Sequence, residues 1–242
     1  MTAPILALEK VSKRFGAIVV ADAIDLALGE GEALGIIGPN GAGKTTLFGI
    51  VSGNVAPDSG RILYAGRDIT RAPPAQRCRI GIGRSFQIPL PFAGMSVFEN
   101  LVVAAAFGAR RRERDVYDAC MDILARCGLA DKANRLAGSL TLLDRKRLEL
   151  ARALATGPAV LLLDEIGGGL TDAEADELVA IILEVKARGV AIVWIEHIVH
   201  ILIKVAERLV CMDGGRIIAD GAPQTVMADP RVIEAYLGGV AV

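Results

Sequence analysis

Apolar positions in this 242-residue chain follow two rhythms: loose alternation in the first thirty residues, then continuous runs of four to six separated by helical patterns. The alternating stretches 5–11, 18–20 and 24–28 predict short antiparallel strands, with Gly29-Glu30-Gly31-Glu32 as a turn. The runs 33–37, 159–163 and 190–195 are apolar almost throughout, which predicts strands buried on both faces of a parallel sheet. Asp58-Ser59-Gly60 turns the chain into a strand over 61–64, Pro73-Pro74 opens a short helix, and 81–86 reads as another strand. From Pro89 the character changes. Pro89 and Pro91 break the chain, Ser96-x-x-Glu99 forms a capping box ahead of an apolar helix reaching Ala106, and Arg110, Arg111, Arg112 and Arg114 precede a second helix over 116–127. A basic amphipathic helix is predicted over 144–155, and a helix capped by Thr171-x-x-Glu174 reaches Lys186. The C-terminal third ends in short strands around Asp213-Gly214-Gly215 and two short helices. Strands alternating with helices imply an α/β fold with a helical insertion over about 89–139.

Candidate chemistry sits at the ends of the apolar runs. Gly38-Pro39-Asn40-Gly41-Ala42-Gly43-Lys44-Thr45-Thr46 fits G-x-x-x-x-G-K-[ST] at every fixed position, between a predicted strand and a predicted helix. Glycines let such a backbone curl so that several N–H groups cradle a triphosphate, and the helix N-terminus favours the anion. Lys44 would reach the β- and γ-phosphate oxygens, and the Thr45 hydroxyl would hold Mg²⁺. Val160-Leu161-Leu162-Leu163-Asp164-Glu165 ends a buried run in two carboxylates: Asp164 suits Mg²⁺ bound through water, and Glu165 suits deprotonation of an attacking water. Gln87 and His197 each follow a predicted strand and could reach the same phosphate end. Glu196-His197-x-x-His200 is not in H-E-x-x-H order and has no further ligand cluster nearby, so a zinc reading is not favoured.

Composition narrows the setting. Twenty-seven basic and 28 acidic residues give a formal net charge of −1, which offers no bulk electrostatic footprint for nucleic acid. The chain is 52% hydrophobic with a mean hydropathy of +0.45, yet no apolar run approaches the ~18 residues of a membrane span. No basic stretch followed by an apolar core opens the chain, so no secretory signal is expected. Cys78, Cys120, Cys127 and Cys211 lack paired spacing and read as reduced core residues of a cytosolic protein.

Taken in order, the loop 38–46, Gln87, the helical insertion, the Asp164-Glu165 strand and His197 resemble the ATPase subunit of an ABC transporter. The resemblance covers nearly the whole chain. It implies one ABC ATPase domain over 1–242, a P-loop NTPase with a mixed sheet, an antiparallel β subdomain and a helical subdomain. The core would take 1–88 and 140–242, and the helical subdomain about 89–139. It implies Phe15 as the aromatic stacked on adenine, Ser139-Leu140-Thr141-Leu142-Leu143-Asp144-Arg145 as the signature segment, and Gly168-Gly169-Leu170-Thr171 as the D-loop. Two ATPase subunits would dock head to tail around two ATP molecules with Mg²⁺, each held between one subunit's loop and the other's signature, where Thr141 would contribute. Gln87 would join Thr45 and Asp164 at the metal, and Glu165, His197 and Gln87 would be catalytic.

The segment 83–100, Arg14-Phe15-Gly16 and the run 144–154 resemble those of branched-chain and hydrophobic amino-acid importers. That implies two membrane permeases, a second ATPase subunit, a solute-binding protein reached indirectly, no nucleic acid, and a peripheral location on the cytoplasmic face of the membrane. Phe92, Met95 and Phe98 are the candidates for the permease contact, with ordinary core packing the equal alternative for Phe98. Related cassettes for urea, amides, aromatic acids or lipopolysaccharide export, and non-transport ABC ATPases, are the alternatives. Three positions depart from the family pattern. Leu143 replaces a glycine, Ile198 an aspartate after the histidine, and Thr171 the D-loop aspartate, with Asp172 adjacent.

Overall fold

Alternation in the first thirty residues resolves into two long strands, not three short ones. In the computed structural model, which describes residues 3–237, β1 (Leu6–Phe15) and β2 (Ile18–Leu28) pair antiparallel from Leu6↔Leu28 to Phe15↔Ile18. The ends of a unit spanning 1–242 thus lie outside the described residues. Register shifts between Leu8 and Val11 and on to Arg14 absorb the irregular alternation, and Lys10 and Ala23 take φ of 48° and 49° there. The pattern that reads as a break is a bulge.

β3 (Ala33–Ile37) is buried at every position and runs through the glycine loop into α1 (Lys44–Ser52). β4 (Ser59–Tyr64) returns antiparallel to β1, and β5 (Arg67–Asp68) hairpins onto it. α2 (Pro74–Arg79) starts on its proline. β6 (Ile82–Arg84) is shorter than the predicted 81–86: past it the Ser85 N–H reaches Leu162 O of the neighbouring strand at 2.9 Å, the Ser85 hydroxyl accepts the Asp164 N–H at 3.4 Å, and Phe86 turns to solvent. α3 (Val97–Gly108) carries both bonds of the Ser96/Glu99 capping box and runs slightly past Ala106. α4 (Tyr117–Arg126) follows the arginine cluster. α5 (Leu142–Ala155) starts two residues before Asp144, because the Thr141 hydroxyl accepts the Asp144 N–H at 3.3 Å and caps the helix earlier. β7 (Val160–Asp164), α6 (Asp172–Ala187) with its Thr171/Glu174 capping box, β8 (Ala191–Ile195) and α7 (Val199–Leu202) follow. β9 (Arg208–Asp213) and β10 (Arg216–Gly221) form a hairpin, and α8 (Pro223–Met227) and α9 (Pro230–Leu237) close the described chain.

The strands form two sheets. One is four-stranded and antiparallel, β2-β1-β4-β5; the other is six-stranded, β10-β9-β3-β8-β7-β6, and parallel except for the β9–β10 pair. The continuous apolar runs serve both faces of the larger sheet. Leu34, Ile36, Val160, Leu162, Val193 and Ile195 join a core shared with α1 and the antiparallel sheet. Their neighbours Ile37, Leu161, Leu163, Ile192 and Trp194 join a core shared with α3, α4, α5 and α6. A period of two thus splits each run between two cores, which is why no position can be polar. Leu148 and Leu150 of α5 lie in the same cluster as Leu161 and Leu163, so the helical segment packs directly on the sheet.

One buried cation holds α1 in place. Arg77 is 1% exposed and donates to Ile50 O and Val51 O at 2.6 and 2.9 Å, and to Thr70 O and Ala72 O at 2.9 Å each. It supplies donors to two of the last four carbonyls of α1, of which Ile50 O also accepts the Gly53 N–H at 3.2 Å. Arg77→Met is expected to lower the unfolding free energy by about 3 kcal/mol, with Arg77→Lys recovering part of the loss. Urea unfolding measures this; a Met variant within about 0.5 kcal/mol of the parent would contradict it.

Candidate nucleotide-binding site

The glycine loop is wedged between two strands. A Cβ on Gly38 would lie 2.1 Å from Met212 O of β9, and one on Gly43 would lie 2.0 Å from Val20 O of β2. Their φ values of 146° and 100° also favour glycine. The loop borders a cavity of about 210 Å³ lined by Val20, the residues from Asn40 to Thr46, and Glu165. Lys44 is buried, and its Nζ donates to Gly38 O at 2.7 Å and Pro39 O at 2.9 Å. Burial pushes its pKa below the ordinary lysine value, while Glu165, Cys211 and Asp164 pull it back up. Thr45 sits in the first turn of α1 and is exposed.

Glu165 is brought over this cavity by an unusual backbone. Its φ of 48° is left-handed, a conformation that non-glycine residues rarely adopt, and its N–H donates to Ile195 O at 2.9 Å. The strand therefore stops at Asp164 and the next side chain turns back above the loop. One carboxylate oxygen accepts from Gln87 Nε2, and the other lies 2.9 Å from His197 Nε2. Gln87, Glu165 and His197, predicted from three separate stretches, are in contact.

Asp164, next to it, faces Arg84. Its Oδ2 pairs with Arg84 Nη2 at 2.8 Å, and its Oδ1 is buried with no partner. Burial raises its pKa, and Arg84 opposes the rise. Arg84 also reaches Ser52 Oγ at 3.1 Å and lies over the Phe48 and Phe86 rings. A charge inside the strand-like run 81–86 was the sequence signal for Arg84, and it went unused. Glu196 was also missed as a structural group. Its buried carboxylate accepts the Gly167 N–H at 2.6 Å and the His197 N–H at 3.1 Å, so it fixes the turn after Glu165 and the backbone of His197. Burial raises the Glu196 pKa against these N–H donors. Glu196 faces Gly167, His197 faces Glu165, and His200 Nε2 lies 3.9 Å from Asp172, so the three residues of the disfavoured zinc pattern point to separate places.

Phe15 lies at the tip of the β1–β2 hairpin, half exposed, with Lys13 Nζ 5.3 Å from its ring centre. Thr141 does not line the loop cavity; it caps α5, and Ser139, Thr141 and Leu142 are exposed beside it. Asp144 turns inward to Lys132 Nζ at 2.8 Å. Thr171 is occupied as the N-cap of α6, and Gly169 lies against Leu142. Of the permease candidates, Phe98 is partly buried, packs against the core and meets Tyr117 edge-on, whereas Phe92 is exposed and Met95 partly so.

Comparison with known proteins decides the family. A sequence model described as ABC transporter matches residues 21–167. The chain belongs to the ABC transporter family. A second model, described as branched-chain amino acid ATP-binding cassette transporter, matches 216–242. The high-affinity branched-chain amino acid transport ATP-binding protein LivG of Salmonella typhimurium is 36% identical, spanning 98% of this chain and 99% of that protein. BraF of Pseudomonas aeruginosa, which carries the same description, is 34% identical over the same shares. The crystal structure of the ADP conformation of MJ1267, an ATP-binding cassette of an ABC transporter, superposes with a TM-score of 0.90 at 33% identity, covering 98% of this chain and 100% of that one. The chain is thus an ATPase cassette, and ABC ATPases bind nucleotide. Among the described residues no helix is long and apolar enough to cross a membrane.

The lowered Lys44 pKa gives a pH signature. If Lys44 exchanges its two carbonyls for phosphate oxygens, that pKa rises, so ADP binding takes up protons in the alkaline range and affinity falls as pH rises through the free-chain value. Calorimetric titration in buffers of different ionisation enthalpy reads the uptake. Zero uptake across the alkaline range would mean that Lys44 stays fully charged in the free chain.

Proposed function

We propose that this chain powers an importer of branched-chain or other hydrophobic amino acids, as one of two ATPase subunits beneath two membrane permeases. The observation that carries the ATPase reading is Glu165, turned back by a left-handed backbone over the glycine-loop cavity and held there by Gln87 and His197. The amino-acid class draws on the match over 216–242 and on LivG and BraF, whose names give branched-chain amino acid transport; it is favoured over the urea, aromatic-acid and lipopolysaccharide alternatives on that ground.

On this reading residues 38–46 hold the phosphates, with Lys44 leaving its two carbonyls for phosphate oxygens. The donor set fits Mg²⁺: Asp164 Oδ1 is a buried acceptor without a partner, and Thr45 offers an exposed hydroxyl in the first turn of α1. Mg²⁺ would be held by these two with Gln87, and it supplies charge neutralisation of the phosphates. Glu165 takes the proton from the attacking water. His197 steadies the Glu165 carboxylate and donates towards the γ-phosphate, and Phe15 packs on adenine. Thr141 serves the nucleotide of the opposite subunit, which accords with its distance from this chain's own cavity lining.

Residues 89–139 act as a helical subdomain on a core of 1–88 and 140–242. The permease docks on the exposed apolar segment that follows Gln87, where Ile88, Leu90 and Phe92 lie open to solvent. Phe98 leaves that list because it is packed. The chain sits peripherally at the cytoplasmic face, and a solute-binding protein delivers the solute from the other side.

The direct test extracts tagged Glu165→Gln chain from its native membranes in mild detergent. The expected preparation contains two permeases and a different ATPase, binds ATP, and hydrolyses it at least about a hundredfold more slowly than the parent. Recovery with ribosomes or nucleic acid, or with no membrane protein, would sink the transporter reading.

Leu143 makes the pair asymmetric. A side chain there crowds the approach of the opposite nucleotide to the α5 N-terminus, so the site completed by this chain's signature is slow. Leu143→Gly in the assembled complex should raise turnover, towards about twofold if both sites then contribute equally. An unchanged rate removes the asymmetry.

A further inference from the structure

We propose that Tyr236, in the C-terminal helix, is a positioning residue for the phosphate-binding loop; the proposal rests on the assignment of residues 38–46 as that loop. The Gly38 N–H donates to Tyr236 Oη at 2.8 Å, across 198 positions of sequence. Gly38 is the first residue of the loop, and each of its groups is engaged. Its carbonyl accepts from Lys44 Nζ at 2.7 Å, its α-carbon is wedged against Met212 O, and its N–H goes to Tyr236.

These engagements differ in what nucleotide does to them. Lys44 must leave the Gly38 carbonyl to meet phosphate. The wedge against β9 stays but fixes only position. The tyrosine hydroxyl then becomes the polar group that sets the orientation of the first loop peptide.

α9 is built to hold that hydroxyl still. Val232, one turn before Tyr236 and on the same face, is 1% exposed and belongs to the core shared with the large sheet. Elsewhere helix and loop stand apart: Pro39 and Asn40 face Arg231, Glu234 and Ala235 across a cavity of about 590 Å³. The hydrogen bond from Gly38 thus bridges helix and loop beside that groove. The Tyr236 side chain is 38% exposed overall, while desolvation around its hydroxyl keeps the phenol pKa above its ordinary value. The segment matched by the branched-chain cassette model includes Tyr236, and this contact gives that segment a task at the ATP site.

The test compares Tyr236→Phe, which removes only the hydroxyl, with Lys44→Ala in the full chain. ADP affinity is read by calorimetry, and the melting temperature is read without nucleotide. In Tyr236→Phe, ADP should bind about fivefold more weakly or worse, with the nucleotide-free melting temperature unchanged; in the assembled complex KM for ATP should rise while kcat holds. ADP affinity equal to the parent's overturns the proposal, as does a loss matched by an equal fall in nucleotide-free stability, which would mark a merely structural role. If Lys44→Ala abolishes ADP binding while Tyr236→Phe does not weaken it, only the Tyr236 proposal fails. If Lys44→Ala binds ADP normally, the loop assignment fails and takes the proposal with it.

Discussion

Ile36 of β3 and Asp164 of β7 pair with the same residue, Ile195 of β8. That shared register brings three strand ends to one edge of the sheet. Gly38, Glu165 and Glu196 leave the sheet there, close enough for the Glu165 N–H to reach Ile195 O and the Gly167 N–H to reach Glu196. A slip of one residue in β7 would carry Asp164 from the face shared with α1 to the face shared with α5, because successive side chains alternate. Arg84 would then lose the Asp164 carboxylate as its partner. Burial on both faces forbids such a slip: every position from Val160 to Asp164 is buried, so each neighbour is fitted to one core or the other.

That edge gathers charge where water is scarce. Asp164, Glu196, Lys44 and Lys146 are all buried, and burial opposes ionisation of each of them. The chain offsets this with local partners: Arg84 for Asp164, backbone N–H groups for Glu196, loop carbonyls for Lys44. These partners differ in whether ligand can displace them. The Arg84 pair and the Glu196 bonds lie within the scaffold, whereas the carbonyls on Lys44 and the unpartnered Asp164 oxygen face what nucleotide and cation would supply. Desolvated groups that gain better partners on binding are the usual source of affinity for a multiply charged ligand.

The runs at 33–37, 159–163 and 190–195 were legible because double burial leaves them no polar positions, and the loop 38–46 because its spacing serves one purpose. The capping boxes at Ser96 and Thr171 were legible for a local reason, since a cap depends on residues three apart. What escaped were effects spread across the sequence. The β1–β2 bulges look like chain breaks until the partner strand is known. For Phe98 docking surface and core packing both stay open in the sequence, because the Tyr117 ring that meets it edge-on belongs to another helix. Arg84 and Tyr236 reach their partners over 80 and 198 positions, and no local pattern encodes such a distance.

Gln87 stands between two regions with different demands. Its amide is bonded to Glu165, while its neighbours Phe86 and Ile88, with Leu90 and Phe92 beyond, are apolar and exposed. Such a run is costly to leave in water and gains by being covered. On the proposed reading, what covers it is a permease. Covering these side chains fixes the backbone at Phe86 and Ile88, and therefore the amide between them. Glu165 is already committed to a left-handed backbone and to His197, so it has little freedom to follow a displaced Gln87. A shift of the covered segment then breaks or makes the bond between Gln87 and Glu165 without moving the loop, which β2 and β9 wedge in place. The membrane partner can thus govern when the carboxylate is free to accept a proton while leaving nucleotide binding to residues 38–46.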